Sequence, residues 1–332
     1  MIYVLPIEPF EERYSIQWYE WFHRYLSTEN VEFLFIDGEL LTKEITTGSF
    51  LDVCGTNYYK SSQLMQISEL IHRGKIKDGD AFLFHDGWFP GIESLAYMRD
   101  GLGINFKIYG IFHAGSYDSQ DFLSHKGMGH WAEDLENSWF KIFDGVFVAT
   151  EFHKKLILRK RKIASKKIHV TFFPIYDDFV VPLQKENLIV FPHRIDTEKQ
   201  PELFDTITLP DSWNKFRTKD TYVDKKTYYR DLCKARIAVS FALQETWGIC
   251  MQEAVFCGCI PLVPNRLSYP EQYPQIFIYN SLEEFHSKLA YLIENWNSKE
   301  IVSFQEETKK SLLRRGGIAI ENMVKVIECE HI

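Results

Sequence analysis

The chain has 332 residues, 45% of them hydrophobic, which is enough apolar material for two core-forming domains. A formal charge of −8 excludes a globally basic nucleic-acid binder but leaves room for a local basic patch. No apolar run reaches the ~18 residues of a membrane span, and the chain opens on strand-like Ile2-Tyr-Val-Leu without a signal-peptide pattern. The expected setting is therefore cytoplasmic, with no membrane partner.

Short apolar runs alternate with longer mixed segments, the pattern of βα units around parallel sheets. In chain order the first half predicts strands at 2–5, 32–36, 81–84, 107–112, 145–149 and 169–172. Helices are predicted at 15–25, 61–73, 91–99, 133–140 and 151–158. The stretch 175–186, with prolines, acids and no period, reads as an interdomain linker. A second set follows, with strands at 188–191, 237–241 and 261–264 and helices at 201–207 and 228–234. The tail from 282 to 327 is helical in period, with a break expected at Gly316-Gly317. The six cysteines (Cys54, Cys233, Cys250, Cys257, Cys259, Cys329) read as reduced thiols. Cys257-Gly-Cys259 lacks the flanking His or Cys of a metal site.

Two motifs of the second set carry chemistry. Glu245-Thr-Trp-Gly-Ile-Cys-Met-Gln-Glu253 places one carboxylate at the end of a strand and another two helical turns further on. Backbone N–H groups around Gly248 and Ile249 would face an anion at the helix N-terminus. Phe191-Pro-His-Arg-Ile-Asp-Thr-Glu-Lys199 brings Arg194 and Lys199 off the end of another strand. Two cations there can neutralise a pyrophosphate, Arg by forked hydrogen bonds and Lys as a point charge. A solvated loop is the bland reading of that pair, and the nearby glutamates weigh against it.

The R-x4-K and E-x7-E elements and Gly258-Cys-Ile-Pro-Leu-Val-Pro resemble the nucleotide-sugar domain of family-four-like GT-B glycosyltransferases. Continued to Glu271, with Pro192-His-Arg194 upstream, the string is similar to the subgroup containing tRNA-queuosine mannosyltransferases. In the first half, Asp52-Val-Cys-Gly-Thr-Asn-Tyr-Tyr-Lys60 and His113-Ala-Gly-Ser-Tyr-Asp118 resemble bacteriophage, DNA-modifying glycosyltransferases, so the compartment would then be a host cytoplasm.

The resemblance implies a GT-B α/β fold of two Rossmann-like domains facing across a cleft. The expected divisions are 1–180 as acceptor side, 187–300 as donor domain, and 301–332 as helices returning to the first domain. It implies retaining transfer from a UDP- or GDP-linked sugar, with no cofactor and no metal. Arg194 and Lys199 would hold the diphosphate, Glu245 the donor sugar, Gly248 and Ile249 the phosphates, and Glu253 the ribose. Front-face substitution would let the departing phosphate oxygen accept the acceptor proton. The family's glycine-rich loop is missing: Pro6-Ile-Glu-Pro-Phe-Glu-Glu-Arg-Tyr14 stands there, and Arg13 or Tyr14 could face the cleft instead.

His113 is the first-half catalytic candidate, against a histidine bonded to a loop carbonyl. Phe84-His-Asp-Gly-Trp-Phe-Pro-Gly91 puts His85, Asp86 and Trp88 at a strand end, with Asp86 to orient the acceptor and Trp88 to stack. A loop over 55–59 offers Asn57 and Tyr58 for acceptor recognition. Asp78-Gly-Asp80 matches a metal-binding DxD pattern but precedes a strand, where Asp-Gly is turn chemistry. Between His153 and Lys167 lie eight Lys or Arg and no acid; Lys160, Arg161 and Lys162 are candidate nucleic-acid contacts, against a solvated helix end. The favoured acceptor is a hydroxymethylpyrimidine of phage DNA, with a modified tRNA base second. The competing readings are transfer to a cell-surface or lipid-linked glycan, a non-catalytic nucleotide-sugar-binding protein, and a sugar-nucleotide epimerase.

Overall fold

The structure, a computed structural model, describes residues 1–10, 13–41, 52–221 and 224–329. It divides into two compact units. The first comprises Met1–Ala149, Lys154–Thr171 and the segment from Ile320 onward; the second comprises Thr150–His153 and Phe172–Ala319.

The first unit contains β1 (Ile2–Leu5), α1 (Tyr14–Thr28), β2 (Phe33–Phe35), α2 (Val53–His72), β3 (Ala81–Phe84) and α3 (Ile92–Leu102). It continues with β4 (Lys107–Ile111), α4 (Phe122–His125), α5 (Gly129–Ile142), β5 (Gly145–Val148), α6 (Glu151–Lys160, its first turn in the second unit) and β6 (Ile168–Val170). The six strands form one parallel sheet in the order β2-β1-β3-β4-β5-β6. β1, β3 and β5 are buried at every position, as strands covered on both faces must be.

The second unit contains β7 (Leu188–Phe191), α7 (Pro201–Asp205), β8 (Asn214–Arg217), α8 (Thr218–Thr221), α9 (Lys225–Lys234), β9 (Ile237–Val239) and α10 (Ile249–Phe256). β10 (Ile260–Pro264), β11 (Ile278–Tyr279), α11 (Leu282–Asn295) and α12 (Lys299–Gly317) follow, and α13 (Ala319–Cys329) returns to the first unit. The sheet order is β11-β10-β9-β7-β8, again parallel. Pro261 is tolerated in β10 because β11 joins it further along, at Val263 and Pro264.

Both sheets reverse direction of build beside their first strand, between β1 and β3 and between β7 and β9. In such sheets the crevice for a ligand opens at the carboxyl ends of the two strands flanking that reversal.

Several expectations need correction. Residues 55–59 are not a loop: α2 starts at Val53, where Asp52 caps Cys54 N at 3.1 Å, so Asn57 and Tyr58 lie on a helix. Gly316-Gly317 does not break the tail. α12 runs through both, and Gly316 serves packing instead: any Cβ there would collide with the carbonyl and side chain of Ile175. The domain divisions at 180 and 301 also move. Segment 172–186 belongs to the second unit through Lys185 Nζ, which donates to Ala235 O at 2.6 Å and Cys257 O at 2.7 Å, and through Phe179 stacked on Tyr229. α12 belongs there too, with Gln305 donating to Val255 O and Lys309 to Phe256 O, both at 3.0 Å. The edge strands β8 and β11 lack an apolar signature of their own: one is a polar Asn-Lys-Phe-Arg run, the other has two residues.

Candidate active site

The β7 and β9 ends hold the charged cluster. β7 delivers Pro192-His-Arg194, and a 3-10 turn at Thr197–Lys199 sets Lys199 back toward the sheet, where it is buried. β9 runs out through Ser240 into the loop that carries Glu245, and Arg266 pins that loop by donating to Phe241 O at 2.6 Å and Ala242 O at 2.9 Å. Gly248 then adopts φ +77°, the left-handed backbone that glycine takes without strain, and α10 starts at Ile249.

Lys199 Nζ lies 3.5 Å from Glu245 Oε2 and donates to the Gln244 carbonyl. Glu245 Oε1 accepts Gly248 N–H at 2.9 Å. That amide is therefore taken by the protein, contrary to the expectation that it faces an anion. The amides of Ile249 and Cys250 fall in the first turn of α10, where no helical carbonyl precedes them. Arg194 pairs with Asp196 and Glu198. The cluster thus joins two cations to three carboxylates, each cation lying against counter-ions of its own.

Glu253 sits deeper on α10 and is almost completely buried. Its Oε1 accepts Tyr229 OH at 2.8 Å and Lys225 Nζ at 3.1 Å, and its Oε2 accepts Tyr228 OH at 2.9 Å. Three donors from α9 hold the carboxylate expected at the ribose. No sequence signal marked Tyr228, Tyr229 or Lys225, since their partner lies more than twenty positions away.

His193 is a further residue that sequence reasoning passed over. It is buried, with Nε2 2.8 Å from Ser240 Oγ and Nδ1 3.2 Å from Cys250 Sγ. Burial, with Lys199 and Arg194 adding to it, holds its imidazole well below the ordinary value and therefore neutral. Burial likewise pushes the Cys250 thiol up. His193, Glu245 and Cys250 offer ligand atoms within 4.8 Å of one another, a grouping that linear spacing could not reveal. Glu271, which ends the string begun at Gly258, caps α6: its carboxylate accepts Glu151 N at 2.9 Å and Phe152 N at 2.6 Å.

In the first unit, His113 is bonded at both ring nitrogens. Nε2 donates to His85 O at 2.7 Å, so Nδ1 accepts from Tyr14 OH at 3.1 Å. This is the loop-carbonyl arrangement, and burial lowers the pKa of the ring. Asp86 receives Lys60 Nζ at 2.6 Å and Trp88 N at 3.1 Å. Trp88 Nε1 donates to Glu136 at 3.0 Å and the ring packs on Trp139. Tyr58 is exposed and bonds Glu39; Asn57 is exposed. Asp78 and Asp80 accept turn amides, Asn105 N at 2.7 Å and Lys77 N at 2.8 Å.

The basic run divides. Lys155, Arg159, Lys160, Lys162 and Lys166 are exposed. Arg161 is not a nucleic-acid contact: it is buried, with Nε 2.7 Å from Glu136 Oε2 and Nη2 2.7 Å from Ser116 Oγ. A guanidinium whose neighbouring residues point outward still turns inward when a fully buried carboxylate needs a partner.

Comparison with known proteins gives the fold a place. Sucrose-phosphate synthase of Thermosynechococcus elongatus matches with a TM-score of 0.70 over 98% of each chain, at 11% identity. Anabaena HepE in complex with UDP and glucose matches with 0.64 over 98% of this chain and 99% of that one, at 9% identity. A Rickettsia africae glycosyltransferase gives 0.64 over 98% and 97%, at 14% identity. The fold is GT-B. No family model matches the chain. A tRNA-queuosine alpha-mannosyltransferase of Drosophila melanogaster is 27% identical over 39% of this GT-B chain. The match spans 45% of that relative's length, less than half of it. Among the described residues no helix is long and apolar enough to cross a membrane.

Proposed function

We propose that this chain is a retaining glycosyltransferase that moves a sugar from a UDP- or GDP-linked donor to a hydroxyl on a modified base of a nucleic acid. The observation that carries sugar transfer is the gathering of Arg194, Lys199 and Glu245 with the first turn of α10 at the β7/β9 switch point. The donor diphosphate takes Arg194 from Asp196 and Glu198 and lies over the amides of Ile249 and Cys250. Glu245 contacts the donor sugar, and Glu253, oriented by Tyr228 and Tyr229, faces the ribose. The acceptor oxygen bonds to the anomeric carbon as the bond to phosphate breaks on the same face, and the acceptor proton passes to the departing phosphate oxygen. Lys199 and Arg194 supply the charge that stabilises this leaving group, so the step asks for no metal.

The nucleic-acid acceptor is supported by the similarity to a tRNA-queuosine mannosyltransferase and by the exposed lysines and arginine of the basic run. The phage-like first half favours hydroxymethylpyrimidine DNA, whereas the curated relative favours transfer RNA. Asp86 and Trp88 at the β3 end are assigned to the acceptor side, and such an enzyme would work in the cytoplasm.

The test incubates the protein with a panel of UDP- and GDP-sugars together with hydroxymethylated DNA or transfer RNA, followed by mass spectrometry of digested nucleosides. A nucleoside gaining one sugar mass is expected. Donor turnover with sugar found only on lipid or glycan acceptors would overturn the acceptor assignment, and absence of any donor binding would overturn the enzyme.

A further inference from the structure

We propose that His193, Cys250 and Glu245 form a binding site for one soft divalent cation of the zinc class. The three come from different places: the β7 end, the first turn of α10 and the loop after β9. Their ligand atoms lie within 4.8 Å of each other. One pair, His193 Nδ1 and Cys250 Sγ at 3.2 Å, is near the spacing of two ligands on a tetrahedral ion, given ~2.0 Å Zn–N and ~2.3 Å Zn–S bonds.

The surroundings match what such a site needs. A metal-ligating histidine gives its other ring nitrogen to a partner that fixes the tautomer. Here Nε2 meets Ser240 Oγ at 2.8 Å, and Ser240 is itself held by Tyr269 OH at 2.7 Å and Ala242 N at 3.3 Å. With the proton on Nε2, Nδ1 presents its lone pair toward Cys250. A cation entering there replaces the thiol hydrogen, whose proton leaves to solvent, and gains sulfur and nitrogen together. The charge also balances. Arg194 and Lys199 face Asp196, Glu198 and Glu245, an excess of one negative charge, and a Cys250 thiolate brings a second. A divalent ion neutralises both. Water completes a four-coordinate shell. Occupancy draws Glu245 away from Lys199, so the ion acts as an occupant of the cluster rather than as a participant in sugar transfer.

Cobalt(II) serves as the probe, because a bound thiolate gives it a charge-transfer absorption that zinc lacks. Titration of the full chain should show one equivalent bound with that band, and zinc should displace it. Cys250→Ser should abolish the band, while replacing the exposed Cys54 and Cys329 with serine should leave it intact. Ser240→Ala, which removes the partner of His193, should weaken cobalt binding by about 10-fold while keeping the band. Glu245→Gln should also weaken binding and keep the band, which covers the case in which Cys250→Ser fails to fold. No cobalt band in the wild-type protein, a band that survives in folded Cys250→Ser, or unchanged affinity in both Ser240→Ala and Glu245→Gln would overturn the site.

Discussion

The two parallel sheets share one build order near their first strands, β2-β1-β3-β4 in one unit and β8-β7-β9-β10 in the other, yet their strand ends carry different chemistry. At β7 and β9 the polar groups are charged and gathered: Arg194, Lys199 and Glu245 within one cluster, with Glu253 fixed behind them. At β3 and β4 they are histidines in an aromatic nest. His85 packs on Phe22 at 4.2 Å between ring centroids, His113 on Trp18 at 5.0 Å, and Asp86 is matched by buried Lys60. A shared topology therefore sets where a ligand can bind, and the side chains delivered to that place decide whether it is a polyanion or something less charged.

This contrast can be broken or sharpened by experiment. The largest effect is expected inside the first unit. Glu136→Ala strips Arg161 of its buried partner and Ser116 and Trp88 of theirs, and should cost about 3–5 kcal/mol in urea unfolding. A cost below about 1 kcal/mol would show Arg161 to be free for other partners. In the second unit, Lys199→Ala should cut sugar transfer by roughly 100- to 1,000-fold, read as kcat with donor saturating. A change confined to donor KM would remove Lys199 from leaving-group stabilisation.

Tyr228→Phe and Tyr229→Phe each delete one hydrogen bond to a buried carboxylate, worth about 1.5–3 kcal/mol. If Glu253 serves the ribose, donor KM should rise by about 10-fold with kcat nearly constant. A loss of stability without any KM change would make the carboxylate purely structural. His85 supplies a pH test of the aromatic nest, since burial and the neighbouring His113 lower its pKa from 6.5 to about 3. The folded protein keeps the ring neutral while the unfolded chain protonates it near 6.5. Stability present above pH 6.5 should therefore be lost as pH falls toward 3, by about 1.4 kcal/mol per pH unit from this group. Melting temperatures of wild type and His85→Phe between about pH 7 and pH 5 should diverge accordingly, and parallel curves would contradict the buried neutral ring. The smallest effect concerns the surface. Lys160→Ala with Lys162→Ala should lower the salt dependence of polymer glycosylation by a slope of about 2, leaving donor KM unchanged; an unaltered slope would take the basic run out of acceptor binding.

Legibility from sequence followed physical range. β1, β3 and β7 match their predicted spans residue for residue, because buried parallel strands are continuous apolar runs bounded by turns. The short polar edge strand β8 has no such signature. Residues 55–59 suit a loop by the propensity of their glycine, asparagine and tyrosines, while the Asp52 cap and the packing of Tyr59 and Gln63 make them helix. In the site, Arg194, Lys199 and Glu245 were legible because each stands just past a recognisable strand. The clamp on Glu253 was not, nor was the pairing of His193 with Cys250.

The sequence by itself determined the two parallel sheets, the placing of charge at the ends of β7 and β9, and the glycine that lets α10 begin at Ile249. Each of these depends on patterns within a few residues. Tertiary structure alone decided which charges have partners: that Arg161 turns inward to Glu136 while Lys160 and Lys162 stay outside, that three α9 donors hold Glu253, and that His193 meets Cys250 across 57 positions. The reason is that a buried polar group must find its complement wherever the fold brings one, and no local period encodes that distance.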